Sequence, residues 1–432
     1  MKNYDKNYLK LLKQELLPAF GCTEPISIAL ATAKATETLG CLPERIVMHC
    51  SRNIIKNASG VVVPASGNRR GIEIAACLGA VVGVTDKGLE LLNNISETDR
   101  KKAMDLANTP GFCTVCLMDT ASKLHIRAEV EAGGYTAVAE VQGTHTNVTY
   151  VEKDGITLYK SEVCIQDNQV ALDMTIKEIL SFASNVPLEE LEPIIGPQIT
   201  YNTAIAEVGL AGGWGAEVGK TLLEMYGNNV ENRARAAAAA GSDARMSGCE
   251  MPVIINSGSG NQGMTVSLPV IEYAREYNSS KEQLIRALAV SNLVALHQKA
   301  SIGILSAYCG VVSAAVGSAA GIAYLQNEPS EVIEAAITNA LANVSGIVCD
   351  GAKPSCAAKI ASSVDAAILG LSLAKRNKNF KNGEGIVKKD VEHTIHAVGR
   401  LASEGMEKTD DVILDIMIEN KRNDSLTKGG YQ

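Results

Sequence analysis

The chain has 432 residues, of which 46% are hydrophobic, 4% aromatic and 20% charged, with a formal net charge of -8. That length and apolar content exclude a disordered chain and support a large core in about two or three domains. The acidic balance, with Lys and Arg gathered into no long patch, argues against nucleic acid or an anionic membrane surface as partner.

In chain order, residues 4–19 read as an amphipathic helix ending near Pro18. Met1 to Leu17 mixes Lys2, Lys6, Lys10, Lys13 and Glu15 with apolar residues and has no apolar core followed by a cleavage site. It therefore does not read as a signal peptide, and a cytoplasmic protein is expected. There the eleven cysteines remain thiols or ligate metal. Gly21-Cys-Thr-Glu24 follows, and Pro25 opens a second helix to about Leu39, so Cys22 faces the donors and partial positive charge of a helix start. Short β-like runs then occupy 45–50, 60–64, 112–118, 124–130, 135–142 and 148–151, the last three spaced as an antiparallel meander. Helical stretches at 71–82 and 97–107 interrupt them. The composition shifts across Pro187 to Pro197. Beyond it helical patterns cover 198–226, 228–241, 264–277, 281–298, 300–325, 330–343, 355–376 and 388–419, before a polar tail from Lys421. The fold expected is α+β: an N-terminal mixed domain with an antiparallel sheet over 1–190, and an all-α domain over 191–432. The run from Ala300 to Asn327 holds no charged residue, but it is Ala, Gly and Ser without an aromatic belt and reads as a buried central helix rather than a membrane span.

Several segments carry chemistry. Gly258, Gly260 and Gly263 form G-x-G-x-x-G after a strand-like run. A dinucleotide fold needs a second strand ending in an acid about twenty positions on, and 264–298 reads helical instead. What remains is a loop of backbone N–H groups at a helix start, a cradle for a carboxylate, with Asn256, Ser257, Asn261 and Gln262 beside it; a tight turn between packed helices is the plainer reading. Gly241 to Gly248 reads as a loop in which Arg245 grips a carboxylate and Asp243 holds Arg245, or as a helix cap with Arg245 in solvent. Asn53, Lys56 and Asn57 lie in a polar segment with access to substrate, or in a solvated turn. His145, in Gly143-Thr-His-Thr-Asn147, is a proton shuttle, a metal ligand or a hydrogen-bonded turn residue. His297 and Lys299 precede the uncharged run, as a base or as its polar end. Cys113 and Cys116 make a C-x-x-C with no second pair, half a zinc site at most. Cys41, Cys50, Cys77, Cys164 and Cys249 show no partner pattern. Cys349 and Cys356 bracket a Gly-Lys-Pro turn, and with Cys309 and Cys22 they are candidates for a shared metal site.

Gly21-Cys-Thr-Glu-Pro25, Asn256-Ser-Gly-Ser-Gly-Asn-Gln-Gly263 and Cys349-Asp-Gly-Ala-Lys-Pro-Ser-Cys356 together resemble the L-cysteine desulfidase family, in the expected order and through nearly the whole chain. The C-terminal half is also similar to the α domain of the iron-sulfur L-serine dehydratases, with 256–263 and Cys309, Cys349 and Cys356 at the positions of its turn and cluster cysteines; the loop between the last two cysteines is shorter here. The resemblance implies an oxygen-sensitive lyase with a 4Fe-4S cluster in its helical domain, converting L-cysteine to pyruvate, ammonia and sulfide without pyridoxal phosphate. It places Cys309, Cys349 and Cys356 as cluster ligands, and Cys22 either as an alternative third ligand or as a thiol in proton transfer. Lys353 becomes a base or carboxylate contact, alongside Cys22, His145 and His297 as catalytic candidates. A serine dehydratase and a non-catalytic iron-sulfur redox sensor are the alternatives. The partner expected is a small amino acid, with no nucleic acid and no membrane, and the long apolar helix faces are compatible with a homodimer.

Overall fold

The computed structural model describes residues 3–163, 169–303 and 305–428; Cys164 and the last four residues of the polar tail lie outside the described residues. Helix α1 (Asn3–Glu15) stops before Pro18, and Pro18–Phe20 continues as strand β1 rather than as helix. Helix α2 (Thr23–Leu39) has Pro25 in its first turn, where a missing N–H costs nothing. Strand β2 (Arg45–Cys50), helices α3 (Arg52–Ala58), α4 (Ile72–Val82) and α5 (Glu97–Asn108), then strands β3 (Cys113–Leu117), β4 (His125–Ala132), β5 (Tyr135–Gln142), β6 (Val148–Lys153) and β7 (Ile156–Lys160) complete the first half. The expected strand at 60–64 is absent: Val62 makes only an isolated bridge to Arg70, because Pro64-Ala-Ser-Gly-Asn68 turns the chain at once.

The six strands run β3-β2-β4-β5-β6-β7, antiparallel except for the parallel pair β2 and β3, so the sheet is mixed. Period-two alternation sorts its faces. Ile46, Met48, Ile126, Ala128, Val130, Ala137, Ala139 and Val141 are buried on the side covered by α2. The other side carries charge pairs, Arg127 to Glu129 along β4 (2.7 Å) and, across to β5, Arg127 and His125 to Glu140 (2.7 and 3.1 Å).

The second half is helical: α6 (Gln169–Asp173), α7 (Ile176–Asn185), α8 (Leu188–Ala211), α9 (Val218–Tyr226) and α10 (Val230–Met246), then strand β8 (Pro252–Ile254), α11 (Gly260–Glu276), α12 (Lys281–Ile302), α13 (Gly310–Leu325), α14 (Ser330–Asn343), α15 (Cys356–Lys375), α16 (Val391–Arg400) and α17 (Glu407–Lys428). Pro193 and Pro197 do not mark a break but sit inside α8, whose Leu191, Ile194, Ile195, Gln198, Asn202 and Ile205 are buried and hold the helical course where the prolines remove donors. The uncharged run is not one helix. Alpha-12 ends at Ile302, a loop carries Ser306 to Cys309, and α13, nearly all buried, begins at Gly310. Among the described residues, α15 alone has the length and hydropathy of a membrane span, and its Ile360, Val364, Ala367 and Leu371 are core residues.

Strand pairing and a buried ion pair are among the ties between the halves. Beta-1 pairs antiparallel with β8, Pro18 opposite Ile254 and Phe20 opposite Pro252. Lys56 of α3, 2% exposed, pairs with Asp410 of α17. Helix packing in the second half is close because small residues face each other: a Cβ added at Gly209 would lie 2.0 Å from the Ala240 carbonyl oxygen. Gly209→Ala is therefore expected to lower stability by about 1–3 kcal/mol, the usual range for overpacking, measured as a shift in denaturant midpoint with an unchanged slope.

Candidate active site

Four thiols face one cavity, and each arrives on its own element. Cys22 is the N-cap of α2, Cys309 the N-cap of α13, and Cys356 the first residue of α15, so three stand where free N–H groups and the helix dipole favour a thiolate. Cys349 comes from the preceding loop. A short antiparallel bridge sets it beside Cys309: Tyr308 opposes Val348, the Cys309 N–H donates to the Ile347 carbonyl (2.9 Å), and the Cys349 N–H donates to the Ala307 carbonyl (2.6 Å). The Cys309 thiol donates to Cys349. That bond outweighs burial and, with the nearby Lys56 charge, lowers the Cys349 thiol to about 6. Cys309, as donor and buried, is pushed up, and burial also raises Cys356. The loop reaches α3 only because of Gly351: its φ is +92°, and a Cβ there would lie 2.3 Å from the Lys56 carbonyl oxygen.

On the same cavity, the Cys22 thiol, packed in one buried cluster with Cys356, donates to Glu24 Oε2 (3.2 Å), as does the Thr23 hydroxyl (3.1 Å), and Asn57 donates to Oε1 (2.9 Å). Burial pushes the Glu24 carboxyl up, but His145 and these donors prevail and hold it below its ordinary value. Burial, followed by the Glu24 charge, raises Cys22 well above the usual thiol value. His145 is lowered by burial, against the pull of Glu24, so its imidazole is neutral near pH 7. Arg245 donates to the Gly21 carbonyl (2.8 Å) and to Asn261 Oδ1 (3.3 Å). Asn256 and Ser259 close a tight turn by reciprocal backbone bonds (3.2 and 3.0 Å), with Ser257 and Gly258 at its tip.

The inner cavity, about 90 Å³, is lined by Cys22, Asn57, His145, Arg245, Ser257, Gly258, Asn261, Gln262, Lys299, Cys309, Cys349 and Cys356 of the residues singled out from sequence. It is well below the ~300–1,000 Å³ of pockets for drug-sized ligands, so it suits a small molecule. A second, outer cavity of about 170 Å³ shares His145, Ser257, Gly258 and Lys299 with it, and is otherwise walled by Leu11 and Leu17 beside α1, by Leu89, Ile255 and Leu296, and by neighbouring polar residues.

Four singled-out residues lie elsewhere. Lys353 is spent on its own turn, donating to the carbonyls of Asp350 (2.9 Å) and Gly351 (3.2 Å) and pairing with the Asp350 carboxylate. His297 bridges the Ala171 carbonyl (2.8 Å) and Glu392 (2.7 Å). Lys56 donates to the Cys349 carbonyl (3.3 Å) behind the cavity, and Asn53 is buried on the same helix. The expected loop at 241–248 is instead the last turns of α10: a Cβ at Gly241 would meet Met264 Sδ at 2.6 Å, so this glycine serves packing. Asp243 does not hold Arg245; it accepts from the Gly219 N–H (3.1 Å). Cys113 pairs in register with Ile46 and Cys116 with His49, so the two thiols of the C-x-x-C project from opposite faces of β3 and do not chelate together.

Sequence reasoning passed over Glu24 and Tyr308, though an acid two positions after Cys22 in a first helical turn was a signal; Lys299, read as a base or as the polar end of the uncharged run, lies in the cavity wall. Their buried polar surroundings are incomplete. His145 Nε2, Asn57 Oδ1, Gln262 Oε1 and the Tyr308 hydroxyl are buried without a hydrogen-bond partner, which in a polar cavity marks room for a ligand's own polar groups. Among the described residues no three His, Cys, Asp or Glu side chains converge to hold a single metal ion. A cluster held by thiolates on different irons requires no such convergence, and three thiols lining one cavity with Arg245 and Lys299 fit that donor set.

Residues 86–415 match the family described as the serine dehydratase alpha chain. The UPF0597 protein of Lachnoclostridium phytofermentans is 51% identical over 415 residues, covering 96% of this chain and 99% of its own length. That of Desulfitobacterium hafniense is 46% identical over 418 residues (96% and 97%), and that of Treponema denticola 45% over 430 residues (97% and 99%).

Burial raises the Asp243 carboxyl to about 6, against its backbone donors. The folded chain thus binds this proton more tightly than the unfolded one, and stability is lost as pH rises from below 3.8 through 6. Asp243→Asn, which resembles the protonated form, is expected to be more stable than the parent at pH 8, by at most about 3 kcal/mol, with the difference closing below pH 4, read from denaturant midpoints across that window.

Proposed function

This chain belongs to the serine dehydratase alpha chain family, and from that premise we propose that it is a cytoplasmic lyase that removes the β-substituent of a small amino acid, with L-cysteine giving pyruvate, ammonia and sulfide. The observation that carries this reading is the convergence on one small cavity of the Cys22–Glu24 pair and the thiols of Cys309, Cys349 and Cys356. Cys309, Cys349 and Cys356 would hold a 4Fe-4S cluster, which when bound supplies a Lewis acid for the leaving group.

The chain's own residues account for the proton. The Cys22 thiol already donates to Glu24, so a relay is available: the substrate Cα proton passes to Cys22 Sγ as the thiol proton passes to the Glu24 carboxylate. The Cα–H electron pair forms the new C=C bond, the Cβ–S bond breaks, and sulfide leaves with its electron pair. Aminoacrylate then tautomerises and hydrolyses to pyruvate and ammonia. Thr23 and Asn57 keep Glu24 oriented and ionised, while Arg245 fixes the Gly21 carbonyl and so the start of the Cys22 segment. The cavity's size excludes bulky amino acids, and a hydroxyl in place of the thiol makes serine the second candidate substrate.

After anaerobic reconstitution with iron and sulfide, the protein is expected to release sulfide and pyruvate from L-cysteine. Pyruvate from serine without turnover of cysteine would select the dehydratase, and turnover of neither would defeat the lyase reading. Cys309→Ala and Cys349→Ala are expected to lose both the cluster's visible absorbance and activity. Cys22→Ala should keep the absorbance and lose roughly 10²–10⁴-fold in kcat, the range for a proton-transfer group; loss of the absorbance would instead make Cys22 a ligand.

A further inference from the structure

Lys299, in the last turn of α12, is 6% exposed and lies in the wall common to the inner and outer cavities. Among the described residues no carboxylate pairs with it and no acceptor takes its ammonium hydrogens. Of the chain's own groups the Cys349 and Cys309 sulfurs pull on this ammonium, and a ligand's carboxylate reaching it would add a buried, hydrogen-bonded charge partner that no side chain among the described residues supplies.

The same wall holds the tip of the Asn256–Ser259 turn. Ser257 and Gly258 both have positive φ, 49° and 70°, and neither N–H has a partner among the described residues. His145 lies against this tip: a Cβ on Gly258 would come 3.0 Å from its ring, and its Nε2 is buried without a partner. Arg245, the obvious anion ligand from sequence, is committed elsewhere. Its two terminal nitrogens serve Gly21 and Asn261, and Gly260 packs against Nε so closely that a Cβ would lie 2.4 Å away.

We infer that Lys299, with the N–H groups of Ser257 and Gly258, forms the seat for the carboxylate of a small α-amino acid, and that Arg245 positions the surrounding backbone instead of gripping the ligand. The assignment deepens the lyase reading and rests on it only for which amino acid is bound. A carboxylate held at this wall leaves the substrate's β-substituent free to face the cysteines across the inner cavity.

The test is calorimetric titration of the purified full chain with L-alanine, which has no leaving group, and with L-alaninamide, which lacks the carboxylate. The wild type should bind L-alanine about 10-fold or more tighter than the amide, as expected when one partner of a buried charge pair is removed. Lys299→Met should lose that preference and Lys299→Arg should retain part of it; thermal midpoints confirm that both variants fold. In the reconstituted protein, Lys299→Met should raise KM for L-cysteine about 10-fold or more with kcat within a few-fold, leaving kcat/KM for L-cysteine methyl ester unchanged. A wild type without preference for L-alanine, a Lys299→Met variant that keeps the preference, or a fall in kcat at constant KM would each overturn the seat. Loss of the preference in Lys299→Met alongside a wild type that turns over neither cysteine nor serine would uphold the seat and defeat the lyase reading.

Discussion

The pairing of Pro18–Phe20 with Pro252–Ile254 is the constraint on which the site depends. Three residues of strand carry little energy by themselves, yet they fix where Gly21-Cys-Thr-Glu24 emerges relative to the Ser257–Gly258 turn on the far side of the sequence. Arg245 secures the junction from beneath, by its bond to the Gly21 carbonyl, and Thr23 donates to the Gly258 carbonyl (3.0 Å). A slip of one residue in that register would turn alternate side chains to the opposite face and carry the Cys22 segment out of line with the turn. The buried Lys56–Asp410 pair makes the corresponding tie on the cysteine-loop side, and breaking such a pair costs about 3–5 kcal/mol.

The electrostatics of the cavity follow from this convergence. Glu24 is the one carboxylate among its described lining residues, against Arg245 and Lys299, while His145 is kept neutral by burial. Helix starts at Cys22, Cys309 and Cys356 add partial positive charge. That balance favours a thiolate at Cys349 and the approach of a small anion, while burial still holds the Cys22, Cys309 and Cys356 thiols up. The orphaned polar atoms on Asn57, His145, Gln262 and Tyr308 are the complement: groups left unsatisfied by the fold and available to a ligand that carries its own donors and acceptors.

The G-x-G-x-x-G segment illustrates how a motif separates from its usual meaning. Its glycines do what the physics requires, since Gly258 accommodates positive φ under the His145 ring and Gly263 lets the Ile254 carbonyl approach to where a Cβ would be 2.0 Å away. The element that follows is helix α11 without a second parallel strand, so the loop serves a small-molecule cavity and not a dinucleotide.

Sequence periodicity by itself determined the strands at 45–50, 113–117 and 125–153 closely, and most helices to within a few residues, because alternation and 3.6-residue spacing are local properties. It also identified the cysteines, the 256–263 loop, His145 and Asn57, whose residue types are conspicuous in their surroundings. Tertiary structure decided the rest. Pro193 and Pro197 stay helical because burial of their neighbours outweighs a lost donor. The uncharged run breaks at Gly303, because the Tyr308–Val348 bridge needs an extended segment there. Lys353 and His297 are diverted from the cavity by partners at Asp350 and Glu392, whereas Lys299 is left unpaired within it. Which charged group finds a partner depends on contacts tens to hundreds of residues away, and that is information a local pattern does not carry.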